Sequence, residues 1–212
     1  MKNSILIILV FTLFVCCNAQ HKANSDGWIS LFDGKTLNGW KVGENASTFS
    51  VQDGSIVANG PVAHLFYDGN VKNHDFKNFE FKADVMTTPG SNSGLYFHTV
   101  YQERSWPKKG YEVQVNNSHE DWRRTGSLYA IQDVKEVYVK DNEWYTESFA
   151  VKDKHVTISI NGKSVVEYDE PENVKRDTTM EGRVLSSGTF AIQGHDPKSK
   201  VYFKNIMVKP LD

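Results

Sequence analysis

Phe79-Glu80-Phe81-Lys82-Ala83-Asp84-Val85 alternates strictly between apolar and polar side chains. Successive residues of a strand point to opposite faces, so this period of two puts Phe79, Phe81, Ala83 and Val85 into a core and leaves the others outside it. Val156-Thr157-Ile158-Ser159-Ile160 repeats the pattern. Turn chemistry separates such segments. Asp53-Gly54 stands between Phe49-Ser50-Val51 and Ile56-Val57, and Asn161-Gly162 between Val156–Ile160 and Ser164–Tyr168. An Asx-Gly pair suits the type I′ hairpin turn, which needs positive φ at both central residues. Helical signal is thin: Glu170 to Arg176 has room for one turn, and Pro171 with mixed polarity weakens it. Many strands at short spacing predict an all-β chain, a two-sheet antiparallel sandwich or jelly roll. The final apolar-rich segment, Val201 to Val208, reads as a closing strand beside the N-terminal segment near Trp28 to Phe32.

The first residues read as an export signal. Lys2 supplies a positive start, Ile5 to Val15 is apolar except for Thr12, and Cys16-Cys17-Asn18-Ala19 ends in small residues. The run is shorter than the roughly 20 residues of a membrane span, and it fits residues 1–19 as a signal peptide. A cut after Ala19 gives a free chain. A cut before Cys16 or Cys17 leaves a lipidated cysteine, although Phe14 and Val15 are bulky for such a signal. The expected location is therefore exported, periplasmic or tethered to the outer membrane as a lipoprotein. Any membrane contact would run through that anchor. Residues 20–26 are polar and read as a tether, and 27–212 as one domain.

Both cysteines fall in the signal, so the domain has to rest on core burial without disulfides. Roughly 190 residues suffice for one such core. The net charge of −2, with no basic stripe, argues against a nucleic-acid partner.

Three strand candidates carry polar residues on one face. Tyr96 and His98 alternate with Leu95 and Phe97. Glu112, Gln114 and Asn116 alternate with Tyr111, Val113 and Val115, and Gln193 and His195 with Phe190 and Ile192. The plain reading is three half-buried strands with solvated outer faces. The residue types point elsewhere, because Glu, Gln, Asn, His and Tyr are the hydrogen-bonding set of a polar ligand. Trp106, Tyr111 and Trp122 lie near them in sequence, and flat aromatic faces suit the C–H faces of sugars. Gly90 to Gly94 and Gly194 permit close backbone approach. No phosphate loop, nucleophile elbow or zinc spacing occurs, and the paired carboxylates of retaining β-sandwich glucanases are absent. A divalent metal held by His98, Glu112 and His195 from separate strands is left open. His64, His74, His119 and His155 read individually as surface or core histidines.

The same segments resemble the 3-keto-disaccharide hydrolase domain family. The likeness is carried by Trp28 to Trp40, by Asn92-Ser93-Gly94-Leu95-Tyr96-Phe97 and by Gly110-Tyr111-Glu112-Val113-Gln114-Val115. It continues in Thr125 to Tyr129, Trp144-Tyr145, Ile160-Asn161-Gly162, Ile192-Gln193, His195 and Phe203 to Ile206. It spans Trp28 to Leu211. Where the family often reads Gln-Asp-His-Gly, this chain has Gln193-Gly194-His195-Asp196. The resemblance implies a concanavalin A-like lectin/glucanase fold with a carbohydrate substrate on one sheet.

It also implies glycoside cleavage assisted by a C3 ketone. The ketone acidifies the C2 hydrogen, a base removes it, the C1 substituent leaves and water adds afterwards. In that chemistry Glu112 would be the base or a metal ligand. His195 or His98 would polarise the ketone, directly or through a divalent metal. Gln114, Asn116 and Gln193 would hold hydroxyls, and Tyr96 or Trp106 would pack on a ring. A non-catalytic carbohydrate-binding domain is the alternative, since the fold serves both. A purely structural surface domain would show no cavity on the polar face.

Overall fold

The computed structural model describes residues 23–212, so the expected signal and the first three residues of the expected tether lie outside the described residues. Residues 23–26 are exposed, and Asn24 closes a turn by accepting the Asp26 and Trp28 amides on Oδ1 at 3.0 and 2.9 Å. No helix among the described residues is long and apolar enough to cross a membrane.

The strands in chain order are β1 (Ile29–Ser30), β2 (Trp40–Val42), β3 (Phe49–Gln52), β4 (Ser55–Ala58), β5 (Ala63–Tyr67), β6 (Phe79–Thr87), β7 (Ser93–Thr99), β8 (Tyr111–Val115), β9 (Tyr145–Lys152), β10 (His155–Ile160), β11 (Lys163–Asp169), β12 (Thr189–Gly194) and β13 (Val201–Pro210). They form two antiparallel sheets. One has eight strands in the order β11-β10-β9-β6-β13-β4-β3, with β1 also on β13, and the other has five in the order β2-β5-β12-β7-β8. The sandwich expected from the period of two is present. Asp53-Gly54 and Asn161-Gly162 make the two expected hairpins, with φ of 47° and 75° and of 50° and 78°.

The core lies between the sheets. Phe79, Phe81, Ala83 and Val85 of β6 point into it, as the alternation requires. Phe81 stacks on Phe149 with ring centroids 4.6 Å apart, and Phe190 meets Phe76, Phe79 and Phe81 at 4.7–4.9 Å. Each such ring contributes roughly 1.5–3 kcal/mol by leaving water, which is how a cysteine-free domain holds.

The closing strand β13 pairs with β1, Ile29 opposite Val208. Its alternation slips once, at Asn205 with φ 50°, where the register against β6 shifts. This bulge lets Phe203 and Ile206 both reach the core. A second irregularity, in β7, bears on the site. His98 has φ 55°, and β7 loses register against β12 between Thr189 and Ala191.

Candidate functional site

The outward face of the five-stranded sheet carries the site. Its inward residues, among them Leu95, Phe97, Val113 and Ile192, join the core. Tyr96, Glu112, Gln114 and Gln193 point the other way. Gly94 on β7 sits opposite Gln114 on β8, and Tyr96 sits opposite Glu112, so the polar side chains converge. They are not solvated: Glu112 is 4% exposed and Gln114 1%. The half-buried, water-facing reading of these strands is thereby corrected.

Above this face lies a cavity of about 280 Å³, lined by Tyr96, Trp106, Glu112, Gln114, Gln193 and His195, and also by Asn92, Asp121, Tyr129 and Arg183. Glu112 is its best-held group. Tyr96 OH donates to Oε2 at 2.8 Å and Gln193 Nε2 to Oε1 at 2.7 Å, while Arg183 Nη2 stands 3.5 Å from Oε2. Gly94 makes room for the carboxylate, since a Cβ there would lie 2.5 Å from Oε1. Burial raises the Glu112 pKa above the ordinary glutamate value, against the opposing pull of Arg183, Tyr96 and Gln193. A carboxylate with a raised pKa is a stronger base than a free one. Tyr96 is pushed up by its own burial and then by the charge of Glu112, so it stays a neutral donor.

Two residues that line the cavity each keep a buried oxygen without a partner, Oε1 of Gln114 and Oε1 of Gln193. The Gln193 orientation is fixed, because turning the amide would set its oxygen against Glu112. Gln114 donates Nε2 to Asn92 Oδ1 at 3.0 Å. Buried acceptors left open in a cavity are places for a ligand's hydroxyl donors. His64, buried behind Tyr96 and Trp106 with its Nε2 unpartnered, is held neutral. Its pKa falls to about 3 through burial and the neighbouring His195.

His195 also lines the cavity. Its Nδ1 lies 2.7 Å from Asp196 Oδ2, and its ring contacts Trp106 on one side and His119 on the other. Burial opposes the charge on Asp196. The hydrogen bonds from His195, Ser199 and Lys198 outweigh that and bring its pKa down to about 2. The carboxylate orients the imidazole and leaves Nε2 free.

His98 does not belong with this group, which corrects the expected pairing with Tyr96. The bulge in β7 turns its ring off the outward face, against Phe79 and Phe97. Ser186 N donates to Nδ1 at 3.1 Å, so Nε2 carries the hydrogen and donates to the Lys77 carbonyl at 2.9 Å. Burial depresses its pKa to about 4, and it is a neutral structural tie. Asn116 is displaced as well. Its amide nitrogen donates to the carbonyls of Asp121 and Arg123, both at 2.8 Å, and its oxygen accepts the His119 amide and Arg124. It shapes the loop after β8 and does not line the cavity. The metal set left open by the sequence, His98, Glu112 and His195, is consequently not assembled. Among the described residues, those whose ligand atoms do gather, within 4.8 Å of one another, are His119, His195 and Asp196. There both Asp196 oxygens are already engaged by His195, Lys198 and Ser199, so Asp196 acts as the orienting group behind His195.

Sequence reasoning missed Arg183, Asn92, Asp121, Tyr129 and the His119–Asp196 pair as site residues. Asn92 and Tyr129 sit in segments that carry the family likeness. Arg183 comes from the long connection between β11 and β12, where no periodicity marks it. It is anchored by Nη1 on the Tyr129 carbonyl at 3.1 Å and by the Tyr129 ring, 5.3 Å from its guanidinium carbon.

A family profile described as the 3-keto-alpha-glucoside-1,2-lyase-like domain matches residues 27–209. A 3-keto-disaccharide hydrolase of Bacteroides thetaiotaomicron is 30% identical over 239 aligned residues, 91% of this chain and 81% of that protein. A crystal structure of a proposed glycosyl hydrolase from Parabacteroides distasonis superposes with a TM-score of 0.75 at 26% identity, over 88% of this chain and 95% of that one. A carbohydrate-binding module of Bacillus subtilis shares the fold at a TM-score of 0.57 and 14% identity, over 81% of this chain and 95% of its own.

Proposed function

The chain belongs to the 3-keto-alpha-glucoside-1,2-lyase-like family, and from that premise we propose that it cleaves 3-keto-glycosides by removing the C2 proton and eliminating the C1 substituent. It is an enzyme of the 3-keto-disaccharide hydrolase type. The mechanism rests on one observation, the buried carboxylate of Glu112 with Arg183 3.5 Å away at the wall of the cavity.

Glu112 takes the proton from C2. The electron pair of that bond passes toward the C3 oxygen, and the charge that develops there lies within the field of Arg183. Fixed charge in a closed, low-dielectric site is worth far more than in water. The enolate then collapses, a C1–C2 double bond forms and the bond from C1 to the glycosidic oxygen breaks. Water adding across the double bond gives the free 3-keto sugar. Gln114 and Gln193 accept hydroxyl hydrogens on their open oxygens, and Trp106, 43% exposed, offers a ring face at the mouth. The apolar leader and its cysteines support action after export, free or lipid-anchored.

The test offers the purified domain a plain glucoside and its 3-keto derivative. Release of the aglycone from the 3-keto compound alone, with loss of that release in Glu112→Gln, is the expected result. Sugar binding with no release from either compound would leave a carbohydrate-binding domain.

A further inference from the structure

A second cavity, about 610 Å³ and more open, is lined by Gly90, His119, Glu120, His195, Pro197 and Lys198, with Asp196. His195 is the one residue that lines both cavities. Its imidazole stands between them, with Trp106 against it at 5.6 Å and His119 at 5.4 Å. The two spaces differ in kind. The smaller is walled by buried amides and a buried carboxylate, fit for one ring in one orientation. The larger is rimmed by Glu120 and Lys198, both exposed, and suits a polar group of variable shape.

We infer that the larger cavity receives the leaving group of the substrate, a second sugar, and that His195 protonates the glycosidic oxygen between the two rings. The inference rests on the elimination reading above and adds to it where the departing half lies and which group serves it. Elimination leaves an alkoxide on a departing sugar, so a sugar leaving group needs a proton at the atom that joins the rings. A group standing between the ring sites is placed for that transfer. The acid role requires a hydrogen on each ring nitrogen of His195, and the Asp196 carboxylate, 2.7 Å from Nδ1, is placed to hold one of them. As the C1–O bond breaks, its Nε2 proton passes to the leaving oxygen. The C2 proton has gone to Glu112, and the two electrons of the C2–H bond become the C1–C2 double bond. The second sugar departs as a neutral alcohol into the cavity edged by Glu120 and Lys198.

Two sets of measurements test this on the purified domain. The first compares a 3-keto-disaccharide with a 3-keto nitrophenyl glucoside, whose phenolate departs without a proton. His195→Asn should lower kcat/KM for the disaccharide by about 10²–10⁴-fold and lower that for the nitrophenyl compound far less. Equal losses on both would overturn the acid role. The second compares the disaccharide with methyl 3-keto-glucoside. Removing Glu120 and Lys198 together, each to Ala, should lower the disaccharide-to-methyl ratio of kcat/KM about tenfold, the weight of one or two hydrogen bonds. An unchanged ratio would overturn the placement of the second sugar. If the wild-type domain turns over none of the 3-keto substrates, the elimination reading itself fails, a result distinct from either of these.

Discussion

On β6 the outward residues Glu80, Lys82, Asp84 and Met86 are half-exposed, while on β7, β8 and β12 the outward Tyr96, Glu112, Gln114 and Gln193 are buried. Both sheets place polar side chains on the outside at the same period of two. The difference lies in what covers them. The eight-stranded sheet meets water. The loops bearing Trp106, Asp121, Tyr129 and Arg183 close over the five-stranded sheet and leave a cavity in place of bulk solvent. A polar group that loses water has to find partners or it costs stability, and Glu112 has found Tyr96, Gln193 and Arg183. The contrast teaches that composition, more than period, separates a solvated face from a site. Lysine with Asp and Glu marks the first, and an amide–tyrosine–carboxylate set marks the second.

The largest expected effect breaks the comparison at its centre. Glu112→Gln should lower kcat/KM on a 3-keto-glycoside by about 10²–10⁴-fold while the domain still folds and melts cooperatively. Glu80→Gln on the other outward face, where Lys209 Nζ is 3.7 Å away and both side chains are over a third exposed, should leave stability within about 0.5 kcal/mol and turnover intact. Paired kinetics and thermal melts of the two variants check this. A comparable loss from both would mean that the carboxylates are not distinguished by their surroundings.

Gly94→Ala acts on the same carboxylate from below. The added methyl would sit 2.5 Å from Glu112 Oε1, so the carboxylate has to leave the hydrogen bonds of Tyr96 or Gln193. Overpacking of this kind costs about 1–3 kcal/mol, and turnover should fall with it. Normal turnover would show that the Glu112 geometry is not demanding.

Much of this was legible in the chain itself. The alternation of Phe79–Val85 and the Asx-Gly turns disclose the sandwich, and Tyr96, Glu112, Gln114 and Gln193 fall on one face by counting in twos. His98 breaks the count because a bulge needs only one residue at positive φ, and nothing local in Phe97-His98-Thr99 announces it. Asn116 is a strand residue by pattern, yet its side-chain partners lie three to eight residues ahead, in a loop whose fold no periodicity encodes. Arg183 reaches Glu112 from 71 positions away along the chain, a contact made by tertiary closure alone.

His98 sharpens the distinction between a site residue and a tie. His98→Ala removes a buried ring and strands the Ser186 amide and the Lys77 carbonyl, so about 3 kcal/mol of stability should go while kcat stays near wild type. Its neutral form is favoured by folding, since the folded pKa of about 4 lies below the unfolded value near 6.5. The contribution is therefore full above about pH 6.5 and fades as the pH falls toward 4. Stability profiles of wild type and variant should converge over that interval; parallel profiles would mean that the ring is charged in the folded state.

Glu147 gives the comparison its counter-case. It sits on β9 of the eight-stranded sheet, faces inward and is fully buried, with no hydrogen-bond partner on either oxygen. The nearby Gly126 amide would favour its charge, but it is already donated to the Gln114 carbonyl. Burial prevails and raises the Glu147 pKa well above the ordinary value. Glu112, with three partners and a cavity, keeps a use for its charge, whereas Glu147 has none and stays protonated. With the folded pKa raised, the favourable state of Glu147 is fully present below the unfolded value near 4.3 and is lost as the pH climbs toward the folded pKa. Glu147→Leu should therefore stabilise the domain by about 1–2 kcal/mol at pH 8 and by progressively less toward pH 4.5. Denaturant unfolding of both proteins across that range measures the difference. A gain that does not change with pH would mean that the carboxyl finds a partner when it ionises, and the two buried carboxylates would then be alike.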